Sequence, residues 1–177
     1  MEYDMEYKEL SEEIKEKIEN HQLWLDTKGA SGECADFSNQ DLSYLNLSHV
    51  TLSNANLAGV NFSYTNLINS DLSNSNLTDA QLIHTDLSHS DLSEANLTRA
   101  ILNAALLIDS DLSYANLRNT NIDCCDLSGT YLQDTDFRGS NLIHVNLTGA
   151  DMTYTDLSCC DLIGVDLSRA NMSYSDL

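Results

Sequence analysis

From Phe37 to Leu177 every fifth residue is large and apolar, and no insertion interrupts the run. Of these 29 centres 23 are Leu, and the rest are Phe, Ile or Met. The position two before each centre is Ala, Ser, Thr, Cys or Val in 27 of 29 repeats, Gln40 and Leu45 being the exceptions. A large and a small side chain two apart, both strictly kept, describe a short extended segment whose inner side fills a narrow interior. The position just before the centre is Asp or Asn in 24 of 29 repeats; Thr51, Gln81, Ile101, Leu106 and Tyr131 break that rule. Two residues after the centre, Asn, Gly and Asp hold 13 of 28 places, and these residues tolerate turn conformations. The chain therefore turns a corner every five residues. Period five fits neither a helix nor a sustained strand, which leaves a coiled solenoid.

Residues 1–29 lack the period. Leu10, Ile14, Ile18 and Leu25 recur at roughly helical spacing among Glu and Lys, with Gly29 as a stop. The spacing predicts an amphipathic helix near 9–26. The helix reads either as a partner-binding helix or, since solenoid ends need covering, as a cap on the first coil with Trp24 as its anchor, and the cap is the reading expected. Two units follow: an N-terminal helical cap, 1–29, and a repeat region, 30–177.

Runs such as Ala55-Asn56-Leu57-Ala58-Gly59, Ala95-Asn96-Leu97-Thr98-Arg99 and Ala150-Asp151-Met152-Thr153-Tyr154 resemble the A(D/N)LXX motif of pentapeptide-repeat proteins. The resemblance is continuous over 35–177. It implies an all-β fold, a right-handed quadrilateral β-helix with four pentapeptides per coil and about seven coils, preceded here by a short α-helix. Residues twenty apart would then stack. At about 4.8 Å per coil the rod would be roughly 34 Å long.

Composition adds a charge argument. Eight Lys and Arg against 28 Asp and Glu give a net charge of −20, which repels nucleic acid and anionic membranes as direct partners. The chain opens on no charged-then-apolar leader, and no apolar run approaches the roughly 18 residues of a membrane span; a cytoplasmic location is expected. Five cysteines, including the adjacent pairs Cys124-Cys125 and Cys159-Cys160, read as reduced thiols. No HExxH, paired CxxC, P-loop, GxGxxG or GxSxG occurs, and His49, His84, His89 and His144 are not grouped. No catalytic residue, metal site or cofactor is assigned.

Stacking by twenties turns outward positions into columns. One column carries Asp71, Asp91 and Asp111, then Tyr131, then Asp151. It reads either as an acidic interaction strip or as Asp side chains bonded to the local backbone. Ile83, Ile143 and Ile163 share another column with Ile101 near it, while Ile68, Leu106 and Ile108 belong to the next face; together they form a candidate apolar patch. Tyr44, Tyr64 and His84 would stack, as would Tyr154 and Tyr174. The last repeats, with Asp161, Leu162, Leu167, Met172, Tyr174 and Leu177, leave an open apolar coil edge, which predicts a homodimer through the C-terminal coils. Similarity to the quinolone-resistance members of the family implies a DNA mimic that binds DNA gyrase or topoisomerase IV. The chain departs from them in its N-terminal helix and in lacking projecting loops and a C-terminal helix. The alternative is a structural or scaffolding rod that binds another protein. Neither is an enzyme.

Overall fold

The computed structural model describes residues 6–177; the first five residues of the expected cap lie outside the described residues. The repeats wind into a right-handed, four-sided β-helix in which parallel bridges join residues twenty apart, from Asp36 with Asn56 to Asp156 with Asp176. Each side of the square is one pentapeptide.

The hydrogen bonding of a single repeat explains its sequence. In Val60–Tyr64 the Val60 N–H closes the corner onto the Leu57 carbonyl at 3.1 Å. The Asn61 N–H donates to Gln40 on the preceding coil at 2.9 Å, while Phe62 and Tyr64 donate to Gln81 and Ile83 on the following one, at 2.7 and 2.9 Å. That leaves the Ser63 N–H, which no backbone carbonyl reaches. The side-chain oxygen of Asn61 accepts it at 3.0 Å. The same bond, from the residue after the centre to the Asp or Asn before it, forms in every repeat from Asp36 to Asn171 that carries Asp or Asn there. Among the described residues it is missing only behind Thr51, Gln81, Ile101, Leu106 and Tyr131.

The corner residue two after each centre has φ between 53° and 73° in all 28 repeats that possess one. The turn is therefore general, although only some of these residues are Gly, Asn or Asp. Bulkier residues such as Tyr44, His84 and Cys124 adopt the left-handed conformation too, and none is β-branched, the side-chain type for which positive φ is least tolerable.

Inside, the centres from Phe37 to Leu157 are 3% exposed or less. The small partners pack beside them; of the buried hydroxyls among these, some donate to carbonyls of the preceding coil and others, such as Ser90, Ser110 and Thr130, to the carbonyl three residues back, while Ser70 and Ser75 close no hydrogen bond. Thr65 donates to Leu42 and Thr85 to Phe62, both at 2.7 Å. Cys125 occupies the same slot, its sulfur 2.8 Å from the Leu102 carbonyl, and burial pushes its thiol up to about 12.

Helix α1 spans Glu12–Asp26. It starts three residues later than the apolar spacing implies, for two local reasons. The Ser11 hydroxyl accepts the Ile14 N–H at 3.3 Å as an N-cap, and Lys8 is engaged as a parallel bridge partner of Leu45. Leu10, Ile14 and Ile18 pack on the core of the first coil. The return loop presses so close that a Cβ on Gly32 would lie 2.3 Å from the Asn20 carbonyl oxygen. His21, which the sequence reading passes over, is fully buried beneath the helix. Its Nδ1 accepts the Ala35 N–H at 3.0 Å, so the neutral ring carries its proton on Nε2, which closes no hydrogen bond. Trp24 is half-buried and stacks on this ring at 5.8 Å.

Two outcomes are expected. Leu106→Asn supplies the missing acceptor for the Ile108 N–H and should stabilise the rod by about 1 kcal/mol in urea unfolding; an unchanged or lower midpoint would contradict that. Burial lowers the pKa of His21 below its ordinary 6.5, against weaker opposing influences from the Ser53 carbonyl and the Asp71 carboxylate. The unfolded state therefore binds the proton first, so the contribution of His21 is complete above pH 6.5 and declines as pH falls below it. Trp24 fluorescence should report loosening of α1 in that window, and His21→Leu should abolish the pH dependence.

Candidate interaction face

The four sides carry charge unequally. The side built from 50–54, 70–74 and their equivalents up to 170–174 bears Asp71, Asp91, Glu94, Asp111, Asp134 and Asp151, with no Lys or Arg. The opposite side has three acids, also without Lys or Arg. The two remaining sides hold all four arginines of the repeat region: Arg169 on one, and Arg99, Arg118 and Arg138 on the other.

Asp71, Asp91 and Asp111 stand on consecutive coils, bridged in register. Each is half-buried. Each accepts the N–H of the serine two residues on, Ser73, Ser93 and Ser113, at 3.0, 2.8 and 2.8 Å, and Ser73 and Ser93 add their hydroxyls at 2.7 and 2.6 Å. The local-backbone role anticipated for these side chains is thus present. It uses one oxygen of each carboxylate and does nothing for the repulsion between carboxylates about 4.8 Å apart. Asp151 stands two coils on, beyond Tyr131, and has external donors: Gln133 at 2.7 Å and Asn171 at 3.2 Å. Hydrogen bonds from Thr153 first, then Gln133, hold its pKa below the ordinary carboxylate value.

Other columns relieve the same repulsion in two ways. Asn side chains interleave with Asp, as where Asn56, Asn61 and Asn146 donate across coils to Asp36, Asp41 and Asp126 at 3.0 to 3.1 Å. Where Asp136 and Asp156 stack directly, Arg138 spans them at 2.5 and 3.3 Å and Arg118 stands 3.9 Å from Asp136. The hydrogen bond from Arg138 is the main cause that lowers the pKa of Asp136. The Asp71–Asp91–Asp111 run has neither an interleaved Asn nor a clamping Arg.

Four tyrosines share this side, Tyr114, Tyr131, Tyr154 and Tyr174, and all are 54% exposed or more. Tyr154 and Tyr174 stack at 4.9 Å. The association of the acids with exposed aromatics was readable from the twenty-residue spacing, but only once columns are assembled into whole sides.

The isoleucines fall on the opposite side in two groups. Ile101 bridges Gln81, two residues before Ile83, whereas Ile143 and Ile163 stack on later coils, separated from Ile83 by Asn103 and Asp123. Ile101 and Ile163 are exposed and Ile83 and Ile143 half-buried, so no continuous apolar patch forms. Tyr44, Tyr64 and His84 stack on this side at 4.9 and 5.0 Å. In the last coil Leu162, Leu167 and Met172 are half-buried, and Asp161, Tyr174 and Leu177 exposed. Among the described residues no helix is long and apolar enough to cross a membrane.

These features define a β-helical repeat solenoid. A model of pentapeptide repeats matches eight copies between residues 30 and 177, and the chain belongs to that family. HetL, a pentapeptide-repeat protein involved in heterocyst differentiation regulation in the cyanobacterium Nostoc sp. strain PCC 7120, is 25% identical; the match covers 82% of this chain and 77% of that one, with a TM-score of 0.52. The pentapeptide-repeat protein alr5209 of Nostoc is 34% identical over 54% of this chain and 83% of its own, with a TM-score of 0.47. The plasmid-mediated fluoroquinolone resistance protein QnrB1 is 16% identical over 79% and 78%, with a TM-score of 0.37. No curated protein matches the chain.

Proposed function

We propose that the chain is a non-enzymatic, cytoplasmic protein-binding rod whose acidic, tyrosine-bearing side receives a cationic surface of its partner. The observation that carries this reading is the Asp71–Asp91–Asp111 run, which has no internal counter-charge on a side with no base at all. A partner's Lys and Arg would supply what Arg138 supplies to Asp136 and Asp156, and exposed Tyr114 and Tyr131 offer ring faces to the same cations. The repeat region carries 19 acids and 4 arginines, a net −15. Over a rod of roughly 34 Å that is one charge per about 2.3 Å, close to the one per about 1.7 Å of duplex DNA. A surface that otherwise holds duplex DNA, as in a type II topoisomerase such as DNA gyrase or topoisomerase IV, is the partner this density fits. Pairing of the apolar last coil with that of a second copy would lengthen the acidic side.

A scaffolding role is the second reading. It is favoured by Ile101 and Leu106, which stand exposed where Asp or Asn would have closed a backbone bond.

The test is inhibition of gyrase supercoiling by the purified protein against the triple variant Asp71→Asn, Asp91→Asn, Asp111→Asn. Asn keeps the oxygen that accepts the backbone N–H, so the variant should fold. Inhibition by the native chain that falls about tenfold or more in the variant, and weakens with salt, is the expected result. Absence of inhibition at micromolar protein would overturn the topoisomerase reading, and inhibition by the variant equal to that of the native chain would overturn the acidic-face mechanism.

A further inference from the structure

Asp123, Cys124 and His144 converge at one corner of the rod, on the side opposite the acidic run. One donor atom from each lies within 4.8 Å of the other two. The Cys124 sulfur is 3.3 Å from Asp123 Oδ1, and His144 Nδ1 is 3.8 Å from the same oxygen. Donors bound to one tetrahedral zinc at about 2.0–2.3 Å stand roughly 3.3–3.8 Å from one another. These two separations already lie in that range.

The coil geometry builds the cluster. Cys124 and His144 are the corner residues of successive coils, twenty apart, both left-handed, with φ of 60° and 57°. The Cys124 N–H donates to the Ile143 carbonyl at 2.9 Å, which locks the two corners in register. The next corner in the column is Gly164, where a Cβ would come within 2.7 Å of His144 Cδ2. The imidazole therefore lies over Gly164, in space that any larger residue would take. No Lys or Arg occurs on this side of the repeats to compete for the carboxylate.

We propose that Asp123, Cys124 and His144 form a binding site for a zinc-class divalent cation. Carboxylate, thiolate and neutral imidazole together bring two negative charges to a dication, and the mixed oxygen, sulfur and nitrogen set suits a borderline-soft ion. The thiol hydrogen-bonds the Asp123 carboxylate; on uptake the sulfur–hydrogen bond is exchanged for a sulfur–metal bond and one proton leaves to solvent. Three protein ligands leave a fourth position open to water or to a donor from a partner. The site is separate from the acidic side and stands whether or not that side binds a topoisomerase.

Cobalt(II), the spectroscopic stand-in for zinc, tests the proposal on the purified, untagged full chain. The expected result is a thiolate-to-cobalt charge-transfer absorption that saturates near one equivalent and is displaced by zinc. It should be lost in Cys124→Ser, weakened about tenfold or more in affinity in His144→Ala, and unchanged in Cys159→Ser, an exposed cysteine on another side. Absence of the absorption in the native chain, or its survival in Cys124→Ser, would overturn the site.

Discussion

The amide that no coil can reach sets the terms for this molecule. Stacking coils and closing corners satisfies four of the five N–H groups in a repeat, and the fifth, just after the buried centre, has no carbonyl in range. An Asp or Asn two residues earlier supplies the acceptor by a bond that any Asx turn would make. Because the bond recurs with each repeat, the preference for those two residues is a backbone requirement before it is a surface property. The buried Leu ladder gives the rod its core, and the Asx ladder lets each repeat follow the last without a dangling donor.

Much of the protein's acidity follows from that requirement. Either Asp or Asn can accept the N–H, so the choice between them is decided between coils. Asn inserted between carboxylates ties the column together, and Arg138 does so where two carboxylates stack. Function is to be sought where neither remedy is used, and in the positions that give up the Asx bond for an exposed apolar or aromatic side chain, as Ile101, Leu106 and Tyr131 do. The first set lies on one side of the rod with the exposed tyrosines, and Ile101 lies on the opposite side.

The period, the buried centres and the twenty-residue stacking were legible in the sequence because each repeat restates them. The aromatic stacks of Tyr44, Tyr64 and His84 followed from the same arithmetic. Features that occur once were harder to see. His21 has no repeat partner to mark it, and its burial depends on how α1 lies on the first coil. Lys8 bridges Leu45, its N–H donating to the Tyr44 carbonyl and its ammonium lying over the Tyr44 ring, a pairing that no repeat spacing marks. The Asp123–Cys124–His144 cluster was hidden although Cys124 and His144 are twenty apart, because Asp123 sits one residue off their column and completes the group only through its side chain. Within the candidate apolar patch, Asn103 and Asp123 stand between Ile83 and Ile143 in the same column.

Amide hydrogen exchange, read residue by residue in the intact chain, tests the role of the Asx bond most directly. The N–H groups of Ser53, Ile83, Asn103, Ile108 and Gln133, which follow the five centres without an Asp or Asn before them, should exchange about tenfold faster or more than the equivalent Ser73, Ser93 and Ser128 amides, as loss of a bond of about 1.4 kcal/mol implies. Equal protection of both sets would show that the coil stack alone shields these amides and would contradict the account.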